Sequence, residues 1–176
     1  MKHGPIGIFD SGLGGLTVYR EIKELLPEYD YLYLGDSART PYGTRSFETI
    51  YHYTQQGVEK LWDLGCQLII LACNTASAKA LRSIQQKDLI EKYPDRRVLG
   101  VIRPSVEVVG ETSKTGKIGL FATTGTVRSQ SYKMEFDKLL RLMVEKGASD
   151  LFITAGVPPS MKVNGAVVPV TKSPLS

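Results

Sequence analysis

The segment Leu68-Ile69-Ile70-Leu71-Ala72-Cys73-Asn74-Thr75-Ala76-Ser77-Ala78-Lys79-Ala80-Leu81 constrains this chain most. Four large apolar residues followed by alanine predict a strand buried on both faces, as in a parallel sheet covered by helices. Asn74 or Thr75 suits the N-cap of the alanine-rich stretch behind it, where helix is favoured. Cys73 is thereby set where a central strand ends and a helix begins. In open α/β sheets that edge is where ligands bind. The positive end of a helix favours a thiolate, so a reactive thiol is one reading of Cys73. A small buried apolar residue at a strand end is the other.

The rest of the chain supplies neighbours for this strand. Ile6-Gly7-Ile8-Phe9 is a short apolar run that ends in Asp10-Ser11-Gly12-Leu13-Gly14-Gly15, a strand leading into a glycine-rich turn. A helix is expected from about Leu16 to Leu26, with Val18, Ile22 and Leu25 on one face. Tyr31 to Asp36 is a second strand, followed by a polar loop from Ser37 to Arg45. Ser46 is a good N-cap for a helix carrying Phe47, Ile50, Tyr51, Thr54, Val58, Leu61 and Trp62 at helical spacing. After the central strand a helix should run to roughly Lys92, ended by Tyr93-Pro94-Asp95. Val98 to Ile102 is a fourth strand, and Pro104 opens the next element.

Strands alternating with helices at this spacing predict right-handed crossovers and a parallel sheet, an α/β fold. The turns at Asp10-Ser11, at Asp36 to Gly43 and at Cys73-Asn74-Thr75 should then share one edge. A carboxylate, hydroxyls and a thiol would face a single crevice, and this convergence favours the reactive reading of Cys73. Lys117 to Ala122 reads as a fifth strand running into Thr123-Thr124-Gly125-Thr126. Beyond about Lys133 the texture changes. Phe136, Leu139, Leu140 and Met143 mark an amphipathic helix that Gly147 can end. Asp150 to Thr154 reads as a strand, and Met161 to Val168 as a hairpin with Asn164-Gly165 at its turn. This tail is too short for a secure core of its own.

Composition excludes several classes. A net charge of +4 with dispersed basic residues gives nucleic-acid binding little support. No run reaches transmembrane length, and Met1-Lys2-His3-Gly4-Pro5 lacks the apolar core of a signal peptide, so a cytoplasmic protein without membrane association is expected. Two cysteines, Cys66 and Cys73, are too few for a disulfide scaffold or a common zinc site. Cys66 follows a helix exit and reads as buried and structural. In Asp10 to Gly15 the third glycine of a dinucleotide fingerprint would fall at Thr17, and no phosphate-loop motif occurs, so nucleotide chemistry is disfavoured. A hydrolase with Cys73 as nucleophile would need a histidine base. Only His3, near the terminus, and His52, on an exposed helix face, are present.

What remains is a thiol beside an aspartate, with hydroxyls and backbone amides able to hold a small carboxylate. That set suits proton transfer at a carbon next to a carboxylate. Inverting a stereocentre this way needs a second acid on the opposite face.

Asp10-Ser11-Gly12, Pro41-Tyr42-Gly43 and Ala72-Cys73-Asn74-Thr75-Ala76 occur here in the order and spacing of glutamate racemases, of the aspartate/glutamate racemase superfamily. The resemblance runs from about Gly4 to Tyr132. It implies a parallel-sheet, three-layer α/β lobe with no cofactor and no metal. It implies Cys73 as one of two catalytic thiols with Asp10 tuning it, and a glutamate substrate. Substrate contacts are implied at Asp10, Ser11, Pro41, Tyr42, Gly43, Asn74, Thr75, Thr123 and Thr126. The product, D-glutamate, would feed peptidoglycan synthesis. The family carries its second thiol, in a Cys-Thr-His pattern, in a second lobe, whereas no Cys follows Cys73 here and no His follows His52. Residues 134–176 instead resemble the beginning of type IV pilus retraction ATPases, through Gly147 to Thr154 and Pro158 to Gly165.

The expected organisation is a first lobe over 1–103, a truncated start of a second over 104–133, and the tail. The chain reads as two unrelated fragments joined near Tyr132 to Phe136, with racemase activity impaired by the missing thiol. A non-catalytic binding or scaffold module, or a pilus-motor fragment, are the alternatives. Apolar surface left open by the truncation would favour self-association.

Overall fold

The computed structural model describes residues 4–112, 118–145, 148–152, 160–163 and 166–169. These divide into two compact units, one comprising residues up to 102 together with 121–131, the other comprising 103–120 and the residues from 132 onward.

The first unit is built on a four-stranded parallel sheet, with β1 (Ile6–Asp10), β2 (Tyr31–Gly35), β3 (Leu68–Leu71) and β4 (Arg97–Gly100) in the order β2-β1-β3-β4. Both β1 and β3 are interior strands, but β3 is not buried on both faces as expected. Ile69 and Leu71 are buried while Leu68 and Ile70, on its other face, are half-buried, because that face is less completely covered. All five residues of β1 are buried, and Ile8, Phe9, Ile69 and Leu71 are fully inaccessible. Phe9 pairs with Leu34 on one side and Leu71 on the other. Helix α1 (Leu16–Leu25) follows β1, and α2 (Phe47–Asp63) follows β2, opened as expected by the Ser46 hydroxyl accepting from the Thr49 amide. Helix α2 buries Ile50, Thr54, Val58, Leu61 and Trp62. Gly57 is needed at the helix–sheet contact, since a Cβ there would lie 2.3 Å from a ring carbon of Phe9.

The long helix expected after β3 is broken into α3 (Asn74–Lys79), α4 (Leu81–Ser83), a π-helical turn (Ile84–Asp88) and α5 (Leu89–Lys92). The π-turn buries Asp88, whose carboxylate accepts from the Tyr51 hydroxyl at 2.8 Å and from Gln55 at 3.3 Å. A contact with α2 thus overrides the local helix pattern. The N-cap also differs from expectation. Cys73 itself caps α3, its Sγ accepting from the Ala76 amide at 3.4 Å, and Asn74 is the first helical residue.

In the second unit, α6 (Ile102–Thr112) carries Pro104 in its first turn, where the missing amide costs no helical bond. Within the first unit, α7 (Thr124–Arg128) is a short helix capped by Thr123. The fifth strand expected at Lys117 to Ala122 is not formed over its described residues. Ile118 to Ala122 are irregular and exposed, with Phe121 fully open. A strand needs a hydrogen-bonded neighbour, and among the described residues none pairs with this segment. Helix α8 (Ser131–Glu145) runs unbroken through 132–136, the expected junction of the two fragments. Gly147 and residues 153–159 lie outside the described residues, as do Asn164 and Gly165. Strands β5 (Ala148–Phe152), β6 (Ser160–Val163) and β7 (Ala166–Pro169) form an antiparallel sheet in that order. Val163 pairs with Ala166, so β6 and β7 pair antiparallel as the hairpin reading expects.

Candidate functional site

The strand order reverses at β1, because the chain leaves it for β2 on one side and returns to β3 on the other. In an open α/β sheet the crevice lies beyond the carboxyl ends of the strands at such a point. Asp10 ends β1, and Ala72 donates to the Phe9 carbonyl at 2.8 Å, so the Asp10-Ser11 and Cys73-Asn74 turns emerge side by side. The Cys73 thiol, 6% exposed, donates to the Ser11 hydroxyl at 3.3 Å. The Asp10 carboxylate is also buried, and its Oδ2 accepts from the Gly12 amide at 2.9 Å. Gly15 allows this approach. A Cβ there would fall 2.8 Å from the Cβ atoms of both Asp10 and Ala72.

The loop after β2 brings the second group. Tyr42 is buried, and its hydroxyl donates at 2.5 Å to Asp36 Oδ2, which also accepts from Arg39 Nε at 2.6 Å. The Arg39 guanidinium lies 4.2 Å from the centre of the Tyr53 ring and donates to Gln56. Burial, then the bond to and charge of Asp36, push the Tyr42 hydroxyl well above its ordinary value, with Cys73 adding a smaller push in the same direction. Tyr42 is therefore a neutral donor to Asp36, its ring packed against those of Phe9 and Tyr53. Pro41, on a cis Thr40–Pro41 peptide, is exposed.

A third group is a triangle of hydroxyls. Thr75 lies 3.1 Å from Thr123 and 3.4 Å from Thr126, and Thr123 and Thr126 are 3.0 Å apart. Gly43 closes onto it through its carbonyl, which accepts from the Gly125 amide at 3.1 Å. A Cβ on Gly43 would meet Thr123 at 2.7 Å. Lys79 donates to the Arg45 carbonyl at 2.9 Å, and its ammonium is held below the usual lysine range by burial and then by the charge of Arg128. Thr75 and Thr126 are buried, whereas Asn74 is exposed at the start of α3.

No protein-family model matches the sequence. The chain is 43% identical over 148 residues to a glutamate racemase of Persephonella marina, a match covering 84% of this chain and 55% of that protein. Its backbone superposes on a glutamate racemase isoform of Bacillus anthracis with a TM-score of 0.72 and 38% identity, over 79% of this chain and 50% of that one. Over this matched part the chain belongs to the glutamate racemase family. A Francisella tularensis glutamate racemase, whose structure contains D-glutamate, matches with 34% identity and a TM-score of 0.67 over 88% of this chain and 59% of that one. The chain spans about half the length of these relatives.

The racemase-family motifs occupy one end of the sheet, as their spacing predicts. Sequence reasoning left Asp36, Arg39 and Tyr33 out of the site, although the turn from Asp36 to Gly43 was expected to face it. The signal for Asp36 was its place directly after a strand, at the edge where the motif turns gather; buried there, an acid has to find donors. Cys66 is buried, as expected, and burial raises its thiol while Arg96 opposes the shift. Among the described residues no cluster of His, Cys, Asp or Glu is arranged to hold a metal. No helix among them is long and apolar enough to cross a membrane.

Proposed function

We propose that the first unit binds glutamate and that Cys73 exchanges its α-proton, the first half of a racemisation. The observation that carries this reading is the Cys73 thiol at 3.3 Å from the Ser11 hydroxyl, beside the buried Asp10, at the switch point of a racemase-family sheet. In the reaction, the thiolate takes the proton from Cα, and the electron pair moves onto the adjacent carboxylate. Fixed donors at that carboxylate stabilise the charge as it develops. The hydroxyls of Thr75, Thr123 and Thr126 are the candidates for holding the substrate, with Tyr42, its proton committed to Asp36, shaping the wall beside them. D-Glutamate in the Francisella relative is the precedent for this ligand. The setting we assign is the cytoplasm, with the product serving peptidoglycan synthesis.

Inversion needs an acid on the opposite face of Cα. The only other cysteine of these 176 residues, Cys66, is fully buried. In this reading the chain returns the proton to the face it left and exchanges it with solvent without racemising glutamate. The test is deuterium wash-in at Cα, followed by NMR for each enantiomer of glutamate, with polarimetry alongside. Exchange into one enantiomer with no change of optical rotation is expected, and Cys73→Ala should reduce it to background. Sustained racemisation would show that a second acid is present. No exchange with either enantiomer would leave a non-catalytic binding module.

A further inference from the structure

Tyr33 is the third residue of β2, opposite Ile8 of β1. Its hydroxyl donates at 3.0 Å to the carbonyl of Gly12, a residue 21 positions earlier in the turn after β1. The amide of that same Gly12 donates to Asp10 Oδ2 at 2.9 Å. One glycine therefore links the tyrosine, through its two backbone polar groups, to the carboxylate beside Cys73. Gly35 makes room for the link. A Cβ at Gly35 would stand 2.3 Å from the Gly12 oxygen and 3.1 Å from Tyr33 Cε1. Tyr19 packs against the Tyr33 ring with centroids 6.2 Å apart, so removing the hydroxyl need not move the ring.

We infer that Tyr33 is a positioning residue for proton transfer, its hydroxyl fixing the Gly12 peptide so that the Gly12 amide holds the Asp10 carboxylate in place. This rests on the reading of Cys73 and Asp10 as the proton-transfer pair. Burial, then the nearby charge of Asp10 and that of Cys73, push the Tyr33 hydroxyl up to about 12. It stays a protonated donor over the range in which a thiol works. Losing it leaves the Gly12 carbonyl without its side-chain partner and frees the peptide to rotate away from Asp10.

The test is a double-variant cycle on α-deuterium exchange, using Tyr33→Phe, Asp10→Asn and both together. Tyr33→Phe should lower kcat about tenfold, the scale of one lost hydrogen bond, with KM within about twofold and thermal stability nearly unchanged. The double variant should be no slower than Asp10→Asn alone. Unchanged kcat, or losses that multiply in the double variant, would overturn the inference, as would a rise in KM with unaltered kcat. Gly35→Ala perturbs the same link from its other side, pushing the Gly12 carbonyl away while keeping the hydroxyl, and where thermal unfolding shows it folded it should also lower kcat.

If the wild-type chain exchanges no proton, the proposed function fails, and the role of Tyr33 is read separately from iodoacetamide alkylation of Cys73, with Cys73→Ala as background. There, Tyr33→Phe and Asp10→Asn should change the rate in the same direction, and the double variant should match Asp10→Asn. Independent changes would refute the link.

Discussion

The two units are held together by different means. In the first, the sheet is parallel, β1 is wholly buried, and glycines at 15, 43 and 57 bring backbone and side chains closer than any Cβ would allow. Asp10, Asp36 and Asp88 are all buried there, and each accepts hydrogen bonds. In the second, a groove is lined by Arg103, Val106, Glu107, Glu135, Lys138 and Leu139. Its buried carboxylate, Glu107, is paired at 2.9 Å with the long, exposed side chain of Arg103 rather than, among the described residues, with backbone or ring donors, and the exposed Lys138 pairs with Glu135 at 2.6 Å. Val108, Val167 and Val168 stand exposed. A buried carboxylate with fixed donors has one position, and surface pairs such as Lys138–Glu135 contribute about 0–1 kcal/mol. Chemistry that needs atoms held within a fraction of an ångström belongs in the first unit.

Core truncation should expose the contrast most strongly. Ile69→Ala, at a site with no exposure in β3, should cost about 2–5 kcal/mol in denaturant unfolding. Gly57→Ala should destabilise by about 1–2 kcal/mol, because overpacking against the Phe9 ring outweighs the gain in helix propensity of about 1 kcal/mol. Were it stabilising instead, the α2–β1 contact would be looser than described.

A smaller effect is expected in alkali. Burial, then the bond to and charge of Asp88, raise the Tyr51 hydroxyl from 10.0 to about 12. The folded chain therefore keeps a proton that the unfolded chain loses, and this contribution is complete below pH 10. It is lost as the pH rises from 10 towards 12. Thermal unfolding should thus fall less steeply over that window in Tyr51→Phe than in the wild type, although the variant starts lower. Parallel slopes would contradict the Tyr51–Asp88 assignment. Smallest of all, Val167→Ala, on an exposed position of β7, should change stability by less than about 0.5 kcal/mol.

The sheet was legible because its strands are short apolar runs separated by glycine and proline, and β1, β2 and β3 fall within a residue of their expected limits. The family motifs were legible for a related reason. Each sits in a βα turn, where side chains are set by the chain's direction rather than by distant packing. The broken helix after Lys79 was not legible. Its π-turn depends on Tyr51 reaching Asp88 across 37 residues, and no local pattern carries that. The segment from Ile118 to Ala122 misled in the opposite sense, since an apolar run predicts a strand whether or not a neighbouring strand is there to pair with it. Tyr33 escaped notice because a tyrosine in a strand is ordinary, and its link to Gly12 appears only once β1 and β2 are aligned.

Deuterium wash-in at the α-carbon of glutamate tests the central claim most directly. The account predicts exchange of one enantiomer in the wild-type chain, lost in Cys73→Ala, with the optical rotation of the sample unchanged. Exchange that survives removal of the Cys73 thiol, or that proceeds to a racemic mixture, would contradict it.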